Sequence, residues 1–396
     1  MAHVMILGGD GYLGWPTAMY FSQRGYAVTV VDNGFRRNAC RELDTGMLYP
    51  IPELVQRAAI WHELTGYEIK VVIGDLAEPA VMRQLFDGSV EYSWAQDLGY
   101  SGIPETAIHY AEQPSAPYSQ LDFEHADVTL TNNLRVTNNL LWAVRDFARD
   151  CHIVKLGTMG EYGTPDIDIE EGWLDIEHKG RKDRFLFPRQ ASSLYHTTKI
   201  MDTDLLWYGV RLWNLRVTDL MQGPVYGTET DESMIDERLN TIFNYDEIFG
   251  TIVNRFVTQA VVGYPLTVYG AGGQTRGYLN IRDTLQCVHK SEQTPAQAGE
   301  LRIFNQIMET FSVNQLAEMT RRVGQQRGHV VEIKSIENPR KEAEEHYYNP
   351  SYQGLLDIGV EPHYLTDEVM AGMFEMVERY RDNIRPEVIF KGVKWG

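Results

Sequence analysis

The sequence has few cysteines, no long apolar run and a shortage of positive charge. Its 396 residues include three cysteines, Cys40, Cys151 and Cys287, whose separations match neither a disulfide framework nor a metal-ligand pattern. No stretch reaches the ~18 consecutive apolar residues that a membrane-spanning helix needs. No signal peptide precedes the first apolar segment. These features predict reduced thiols, no metal site, no membrane anchor and a cytoplasmic location.

The balance of charge excludes some partners. Lys and Arg total 36 against 55 Asp and Glu, so the formal net charge is −19. An acidic surface repels nucleic acids and anionic membranes, so we expect neither as a partner. The chain is long enough for one large domain or two closely joined ones, and its hydrophobic fraction of 43% is ordinary for a globular protein. A local basic pocket for a phosphorylated substrate is compatible with this composition.

A glycine-rich turn follows the first apolar segment. Residues 4–7 form an apolar run of strand length, and residues 15–24 have a helical pattern. Between them, Gly8 permits a tight turn, Gly11 lets a pyrophosphate approach the backbone, and Gly14 lets the helix pack closely against the strand. The start of the helix offers free N–H groups to phosphates. Strand, glycine turn and helix together predict a dinucleotide-binding site.

The second apolar strand leads to a carboxylate for the cofactor. Residues 27–31 end at Asp32, about 20 residues beyond the glycines, where it can accept hydrogen bonds from a ribose. A carboxylate repels a 2′-phosphate, which favours NAD over NADP, although Arg36 and Arg37 lie close enough to oppose this preference. The residues expected to contact the cofactor are Gly8, Asp10, Gly11, Tyr12, Leu13, Gly14, Asp32, Asn33, Arg36, Asp75, Leu76, Tyr195 and Lys199.

Strands and helices continue to alternate along the first half. Residues 69–73, 106–109 and 152–156 have the pattern of buried strands, and residues 131–149 have a long helical pattern. The alternation predicts a Rossmann-type, doubly wound parallel sheet of the α/β class. Because ligands gather at the carboxyl ends of such strands, the polar residues that follow them, including Glu112, are expected to converge there.

The second half mixes shorter elements. We expect a sixth strand at residues 213–220, an amphipathic helix at 247–262 and a further strand at 301–305. These elements predict a smaller α/β domain for the non-cofactor substrate. We divide the chain into a NAD-binding domain at residues 1–220 and a mainly substrate-binding domain at 221–396, interleaved with the first.

A tyrosine and a lysine stand four residues apart after the fifth strand. Tyr195 and Lys199 face the same side of a helix at this spacing. A nearby ammonium favours phenolate, and the phenol pKa, normally near ~10, must fall if Tyr195 is to act as a base near neutrality. Lys199 can also hold the nicotinamide ribose, and Thr158 can bond the same substrate hydroxyl as Tyr195. We expect these three residues to form the catalytic centre.

In these features the chain resembles the extended short-chain dehydrogenase/reductase family, which includes nucleotide-sugar epimerases and dehydratases. Longer stretches resemble one branch of the family, in which sulfite is joined to UDP-glucose. They are residues 8–12, 31–33, 112–119, 155–165, 272–278 and 344–349. The segment 157–163 is the most specific, since other members tend to carry Thr-Asp-Glu there. The chief departure is a set of extra residues around 92–103.

The resemblance implies a reaction sequence on UDP-glucose. NAD takes a hydride from C4 while Tyr195 takes the hydroxyl proton, and the resulting ketone acidifies the C5 proton. Loss of that proton and of the C6 hydroxyl leaves an alkene to which sulfite adds, and the hydride then returns to C4. Glu161 and His196 are the acid–base candidates at C5 and C6, because Met159 and Gly160 replace the usual Asp-Glu pair. A packing role behind Tyr195 is the alternative for His196.

The nucleotide end of the substrate requires cations and amides. Arginine suits bidentate contact with phosphate, and Arg276 is the strongest candidate because it follows a glycine-rich turn within a matching stretch. For each arginine, a surface salt bridge is the alternative. Sulfite is an anion that Arg189 or Lys182 could attract. The residues expected to bind substrate are Gln113, Thr158, Met159, Gly160, Gln222, Arg255, Thr267, Val268, Tyr269, Gln274, Arg276 and Arg340.

Other functions share part of this pattern. A UDP-hexose 4-epimerase or 4,6-dehydratase would use the same cofactor, Tyr195 and Lys199 without sulfite. A non-catalytic NAD-binding protein is a further alternative, although such proteins typically lose the tyrosine or the lysine. The resemblance also implies a homodimer built on a four-helix contact, which the helices near residues 131–149 and 192–208 could supply.

Overall fold

The computed structural model describes residues 2–90, 102–339 and 346–393. Its strands are β1 (His3–Leu7), β2 (Ala27–Asp32), β3 (Ile69–Ile73), β4 (Thr106–His109), β5 (His152–Thr158), β6 (Trp173–His178), β7 (Arg181–Leu186), β8 (Arg216–Gln222), β9 (Val225–Tyr226), β10 (Leu266–Tyr269), β11 (Thr275–Asn280), β12 (Glu300–Gln306), β13 (Glu309–Ser312) and β14 (Ile333–Ile336). Its helices are α1 (Gly14–Gln23), α2 (Phe35–Glu42), α3 (Leu54–Thr65), α4 (Pro79–Phe86), α5 (Phe123–Phe147), α6 (Leu194–Trp213), α7 (Ile252–Val262), α8 (Ile281–Gln293), α9 (Val313–Gln326), α10 (Gln353–Asp357) and α11 (Asp367–Arg379). Short 3₁₀ turns lie at Tyr118–Gln120, Met159–Glu161, Ser233–Ile235, Glu237–Leu239, Arg381–Asn383 and Pro386–Val388.

Seven strands form one parallel sheet in the order β3-β2-β1-β4-β5-β8-β12. The sheet is covered on both faces, because Leu7 packs with Leu140 of α5 in one apolar core and Ile6 packs with Trp15 of α1 in another. The strand order reverses between β1 and β4, which creates a crevice for ligands at their carboxyl ends. The predicted Rossmann-type α/β class is confirmed.

Smaller sheets complete the part of the chain that the structure describes. They are the parallel pair β10-β14, the group β13-β11-β9 and the antiparallel hairpin β6-β7. Phe256 of α7, Leu266 of β10 and Phe374 of α11 belong to an apolar core of their own. No helix within residues 2–90, 102–339 and 346–393 is long and apolar enough to cross a membrane.

Two predicted element boundaries in the second half are wrong. Trp213 ends α6 rather than starting the sixth strand, because Asn214 takes a left-handed conformation (φ 60°) that terminates the helix. Strand β8 therefore begins at Arg216. Helix α7 begins at Ile252, later than predicted, because the Asp246 carboxylate accepts N–H groups of the preceding turn and holds it out of the helix.

Other predicted elements also differ from those in the structure. The strand predicted at 301–305 belongs to the main sheet rather than to the smaller domain, since β12 pairs with β8 along its whole length. Helix α5 begins earlier than predicted because the Asp122 side chain caps it at the N–H of His125. The exposed, charged hairpin β6-β7 was not predicted. The division at residue 220 stays a prediction, and the extra residues around 92–103 lie mostly outside the described residues.

Candidate functional site

A cleft of about 800 Å³ opens at the carboxyl ends of the main strands and extends to β10 and β11. It joins the glycine turn to residues predicted to bind substrate. The predicted residues that line it are Gly8, Gly11, Tyr12, Leu13, Gly14, Asp32, Asn33, Arg36, Asp75, Leu76, Thr158, Met159, Gly160, Tyr195, His196, Gln222, Arg255, Thr267, Tyr269, Gln274 and Arg276. The predicted residues Asp10, Gln113, Glu161, Val268 and Lys199 lie behind its walls.

The glycine turn has the geometry of a phosphate cradle. Gly8 has φ +91°, and a Cβ there would lie 2.7 Å from the carbonyl carbon of Tyr110. A Cβ at Gly14 would overlap the carbonyl oxygen of Gly8, so α1 starts directly against the turn. Gly11 has room for a ligand, because its nearest neighbour to a Cβ is 3.4 Å away. These residues fit the diphosphate of a dinucleotide.

Asp32 closes the turn from the adjacent strand. Its Oδ2 accepts the N–H of Asp10 at 2.8 Å, and its Oδ1 accepts the N–H of Gly34 at 2.7 Å. Burial raises the pKa of Asp32, while these two N–H groups oppose the rise. The carboxylate lies in the cleft wall, where it fits an adenosine ribose.

The prediction that Asp10 contacts the cofactor does not fit the structure. Its side chain is buried beneath the turn, where Arg37 donates two hydrogen bonds to it and Arg57 one. The rest of the Arg37 guanidinium bonds the carbonyl oxygens of Ile51 at 3.1 Å and Pro52 at 2.8 Å. Asp10 therefore supports the turn, and Arg37 is already fully engaged by the protein.

Lys199 forms an ion pair with Glu112, a residue that was not among those predicted to bind the cofactor or the substrate. Its Nζ donates a hydrogen bond to Glu112 Oε2, and both side chains are 4% exposed. The expected lowering of the Tyr195 pKa by Lys199 is wrong for this arrangement: burial, and then the Glu112 charge, raise the pKa of Tyr195 instead. Tyr195 itself lines the cleft, as does Thr158.

His196 and Glu161, the two predicted acid–base residues, lie in different surroundings. His196 lines the cleft, and its Nδ1 lies 3.0 Å from the hydroxyl of Ser193, the N-cap of α6. Glu161 is fully buried, accepting the N–H of Thr158 at 3.3 Å and lying 3.7 Å from Lys155 Nζ. Its position on the 3₁₀ turn after β5 directs it under the strand ends, so it does not reach the cleft.

The predicted sulfite cations also lie away from the cleft. Arg189 pairs with Asp204 and lies 3.8 Å from Glu161. Lys182 is exposed on β7, 3.4 Å from Glu177 of the same hairpin. Neither lines the cleft, so neither can hold an anion there.

The substrate end of the cleft has a buried cation and a buried amide, each with a polar atom that lacks a hydrogen-bond partner among the described residues. Arg255 of α7 is 7% exposed, and among the described residues its Nε has no hydrogen-bond partner. Gln274 Oε1 is likewise without a donor in the described part of the chain, while its Nε2 bonds the carbonyl oxygen of Tyr269 at 3.2 Å. Such groups fit a polyphosphate or nucleoside that satisfies them on binding.

Other substrate predictions have mixed outcomes. Arg276 lines the cleft and donates to His346 Nε2 at 2.8 Å. Gln222 lines it too, with Nε2 3.1 Å from Gln306 Oε1. Thr267 lies in the wall, 3.0 Å from Gln259.

One substrate prediction is wrong, one stays a prediction, and one lies outside the described residues. Gln113 is fully buried and uses its amide within its own loop, donating to Ser115 and Thr129, each at 2.9 Å. Val268 stays a prediction, because it is expected to contact uracil through its backbone, while its side chain points into the apolar core as side chains alternate along β10. Arg340 lies outside the described residues.

Several residues that line the cleft were not predicted from the sequence to bind a ligand. Glu247 accepts the Tyr269 hydroxyl at 2.8 Å, and Tyr348 accepts the N–H of Gly277 at 3.1 Å. Glu247 belongs to no motif, so no local signal could have found it, whereas Tyr348 stands in the matching stretch 344–349, which could have pointed to it. Glu112 is predicted to lie at this sheet edge because it follows β4, although the sequence assigned it no role.

Comparison with known proteins identifies relatives over nearly the whole chain. Residues 4–305 match the NAD dependent epimerase/dehydratase family. The chain is 45% identical over 392 residues to the chloroplastic UDP-sulfoquinovose synthase of Spinacia oleracea, with 99% of this chain and 79% of that protein covered. It is 40% identical over 395 residues to the UDP-sulfoquinovose synthase of Sulfolobus acidocaldarius, with 99% and 97% covered.

A solved structure supports the fold independently. The UDP-glucose 4-epimerase of Bifidobacterium longum, in complex with NAD⁺ and UDP, matches with a TM-score of 0.70 at 16% identity, covering 97% of this chain and 100% of that one. At this identity the match bears on fold alone. Taken with the sequence relatives, the chain belongs to the NAD dependent epimerase/dehydratase family and, within it, to the UDP-sulfoquinovose synthases.

Proposed function

We propose that this protein makes UDP-sulfoquinovose from UDP-glucose and sulfite, with NAD as its cofactor. The observation that carries the proposal is one cleft lined by the glycine turn, the Tyr195 side chain and the buried guanidinium of Arg255. Membership of the UDP-sulfoquinovose synthases supports UDP-glucose and sulfite as the substrates.

The cofactor end of the cleft fits NAD. The backbone of the glycine turn would hold the diphosphate, and Asp32 would accept hydrogen bonds from the adenosine ribose. Because Arg37 is bound by Asp10, Ile51 and Pro52, it has no group left to neutralise a 2′-phosphate. When bound, NAD supplies hydride-transfer chemistry: it would accept a hydride from C4 of the sugar and later return it.

Tyr195 and Thr158 act at C4 in this proposal. The Tyr195 oxygen takes the C4 hydroxyl proton as the C–H bond breaks, and gives it back when the C4 hydroxyl is restored. Thr158 bonds the same hydroxyl from the end of β5. Lys199, behind the wall, holds its charge near the phenol rather than touching the sugar.

His196 is the acid–base residue that the cleft offers for C5 and C6. A neutral imidazole can take the C5 proton, and the resulting imidazolium can give a proton to the departing C6 hydroxyl, which leaves as water. Sulfite, arriving as hydrogen sulfite, then gives its proton to the neutral His196 and forms a C–S bond at C6, and His196 passes that proton to C5. The buried position of Glu161 limits it to supporting the strand end.

Arg255, Gln274 and Arg276 would hold the nucleotide diphosphate and ribose. The buried Nε of Arg255 and the Oε1 of Gln274 would gain the partners that they lack among the described residues. Thr267 and Tyr269 would flank the uracil from β10.

Incubation of the purified protein with NAD, UDP-glucose and ³⁵S-sulfite tests the proposal. We expect a labelled UDP-sugar with a carbon–sulfur bond that mass spectrometry identifies, and no net formation of NADH. Omission of UDP-glucose is the control. Conversion to UDP-galactose without incorporation of sulfur would instead establish a 4-epimerase, and a 4-keto-6-deoxy product would establish a dehydratase.

We also propose that the protein is a homodimer and that it is located in the cytoplasm. Helices α5 and α6 pack against each other and leave Trp142 and Leu212 exposed, at 43% and 63%. Pairing this face with that of a second copy would bury both side chains in a four-helix contact. Light scattering should give twice the chain mass for the wild type and one chain mass for Leu212→Glu. A monomeric wild type would contradict the dimer.

A further inference from the structure

The ion pair between Glu112 and Lys199 lies directly behind the proposed catalytic tyrosine. Glu112 belongs to the loop after β4, and Lys199 lies one turn along α6 from Tyr195. Glu112 lines the cleft, and its second oxygen, Oε1, lies 3.4 Å from His109 Nε2. The lysine that would activate Tyr195 is thus already bound to an anion.

The surroundings of this pair are rich in buried carboxyl groups. The titratable groups that face it are His109 on β4, Lys155 on β5, Glu161 on the turn after β5, His196 and Asp202 on α6, and Asp219 on β8. Helix α5 contributes a neutral group, the hydroxyl of Thr137, 3.1 Å from His109. Lys155 lies 3.7 Å from Glu161 and 3.6 Å from Asp219, so those two carboxyls have a cation of their own.

Lys199 therefore has two competing carboxyl groups, Glu112 and Asp202, and only Glu112 forms an ion pair with it. Burial raises the pKa of Asp202 well above its usual range, and the Glu112 charge adds to the rise. For Glu112, burial acts in the same direction and is the largest single cause, but Lys199, His109 and Lys155 together outweigh it, so the pKa of Glu112 falls below its usual range. The charge that cancels Lys199 is that of Glu112.

We propose that Glu112 is a positioning residue for the catalytic pair: it fixes the Lys199 ammonium behind the cleft wall and withholds part of its charge from Tyr195. The phenol then keeps its proton until a cationic group, such as the oxidised nicotinamide, lies beside it. This inference rests on the oxidation of C4 in the proposed function, but not on the addition of sulfite.

The variant Glu112→Gln tests the proposal because it keeps the shape and removes the charge. The substitution removes the Glu112 charge, which raises the pKa of Tyr195, and frees the Lys199 ammonium from its ion pair, so the pKa of Tyr195 falls by about one unit or more. Two readouts report it: the acidic limb of the pH profile for single-turnover reduction of bound NAD by UDP-glucose without sulfite, and the titration of Tyr195 by ¹³Cζ-tyrosine NMR without substrate, assigned with Tyr195→Phe. Both should shift to lower pH.

Asp202→Asn is the matched control, since it removes the second buried carboxyl near Lys199, which forms no ion pair with that lysine. It should shift the Tyr195 titration less than Glu112→Gln does, because Glu112 has the larger effect on the pKa of Tyr195. Equal shifts in both variants, or an unmoved titration in Glu112→Gln, would overturn the role of Glu112. If Glu112→Gln folds poorly, Glu112→Asp provides a second test. It keeps the negative charge, so its Tyr195 titration should match that of the wild type.

Failure of this inference is distinguishable from failure of the proposed function. A protein that reduces NAD with UDP-glucose but incorporates no sulfite would overturn the function and leave the Glu112 test intact. The NMR titration, which uses no substrate, decides the role of Glu112 even if UDP-glucose does not react.

Discussion

The backbone of Gly160 lies against the imidazole of His196, and any side chain at position 160 would overlap that ring. The ring is held on another side by the Ser193 hydroxyl, 3.0 Å from Nδ1, and Tyr195 lies beside it with ring centroids 5.1 Å apart. The Met159-Gly160 replacement of the usual Asp-Glu pair thus makes room for a histidine beside the catalytic tyrosine.

Gly160→Ala should therefore impair the steps at C5 and C6 and spare oxidation at C4. Displacing the ring by about an ångström is expected to slow formation of the sulfonated sugar by about 10²-fold. Reduction of NAD by UDP-glucose, which uses Tyr195, should stay within a few-fold of wild type. Gly372→Ala is the control, because a Cβ there meets nothing within 4 Å. Wild-type rates of both steps in Gly160→Ala would refute the role assigned to His196.

Tyr195→Phe should lose both steps, since no proton acceptor remains for the C4 hydroxyl. We expect turnover to fall by about 10²–10⁴-fold, the usual contribution of general acid–base catalysis. Binding of NAD, measured by fluorescence titration, should change little because the glycine turn and Asp32 are untouched. Turnover at the wild-type rate would remove Tyr195 from the mechanism.

The sequence predicted the parts of the site that depend on local order. The glycine turn and Asp32 follow their strands directly, so the sheet topology brings them together. Burial is what local patterns miss: Gln113 and Glu161 stand in matching motifs, yet their side chains turn inward to bond their own loops and strand ends. Whether a polar side chain faces ligand or protein depends on partners far along the chain.

The pairing of Lys199 illustrates the same limit. Its spacing from Tyr195 is visible in the sequence, but its partner Glu112 is 87 residues away and reaches it only through the packing of α6 against the sheet. The expected direction of the Tyr195 pKa was wrong because burial, and then the Glu112 charge, raise it. Fold class and cofactor, which depend on repeated local patterns, are confirmed.

Arg255→Met should weaken binding of UDP-glucose without unfolding the protein. A hydrogen bond to a charged group contributes about 1.5–3 kcal/mol, so KM should rise by about 10–100-fold. The free energy of unfolding without ligand should not fall, because the Arg255 Nε has no partner to lose among the described residues. Arg238→Met, which breaks an exposed pair with Asp236, is the control. An unchanged KM would place the diphosphate elsewhere.

Asp10→Ala should destabilise the protein more than it affects chemistry. It leaves the guanidinium groups of Arg37 and Arg57 buried without their anion, which costs about 3–5 kcal/mol. Urea denaturation monitored by tryptophan fluorescence measures the loss. Glu177→Ala, which removes a carboxylate that is 59% exposed on the hairpin β6-β7, should change the stability by less than about 1 kcal/mol. Equal effects of the two substitutions would contradict the supporting role of Asp10.

His152 should make the stability depend on pH in a defined direction. It is buried with Nε2 2.9 Å from the Thr218 hydroxyl, and burial lowers its pKa to about 3. The unfolded histidine titrates near ~6.5, so below that pH the unfolded chain binds a proton that the folded protein refuses. The contribution of neutral His152 is complete above ~6.5 and is lost as the pH falls toward 3.

The comparison of wild type with His152→Gln isolates this contribution. The stability difference between them should shrink from pH 7.5 to pH 5, by up to ~1.4 kcal/mol per unit below ~6.5, because only the wild type has the imidazole to protonate on unfolding. Urea denaturation at half-unit intervals gives the slope. A constant difference across this range would mean that His152 is protonated in the folded protein despite its burial.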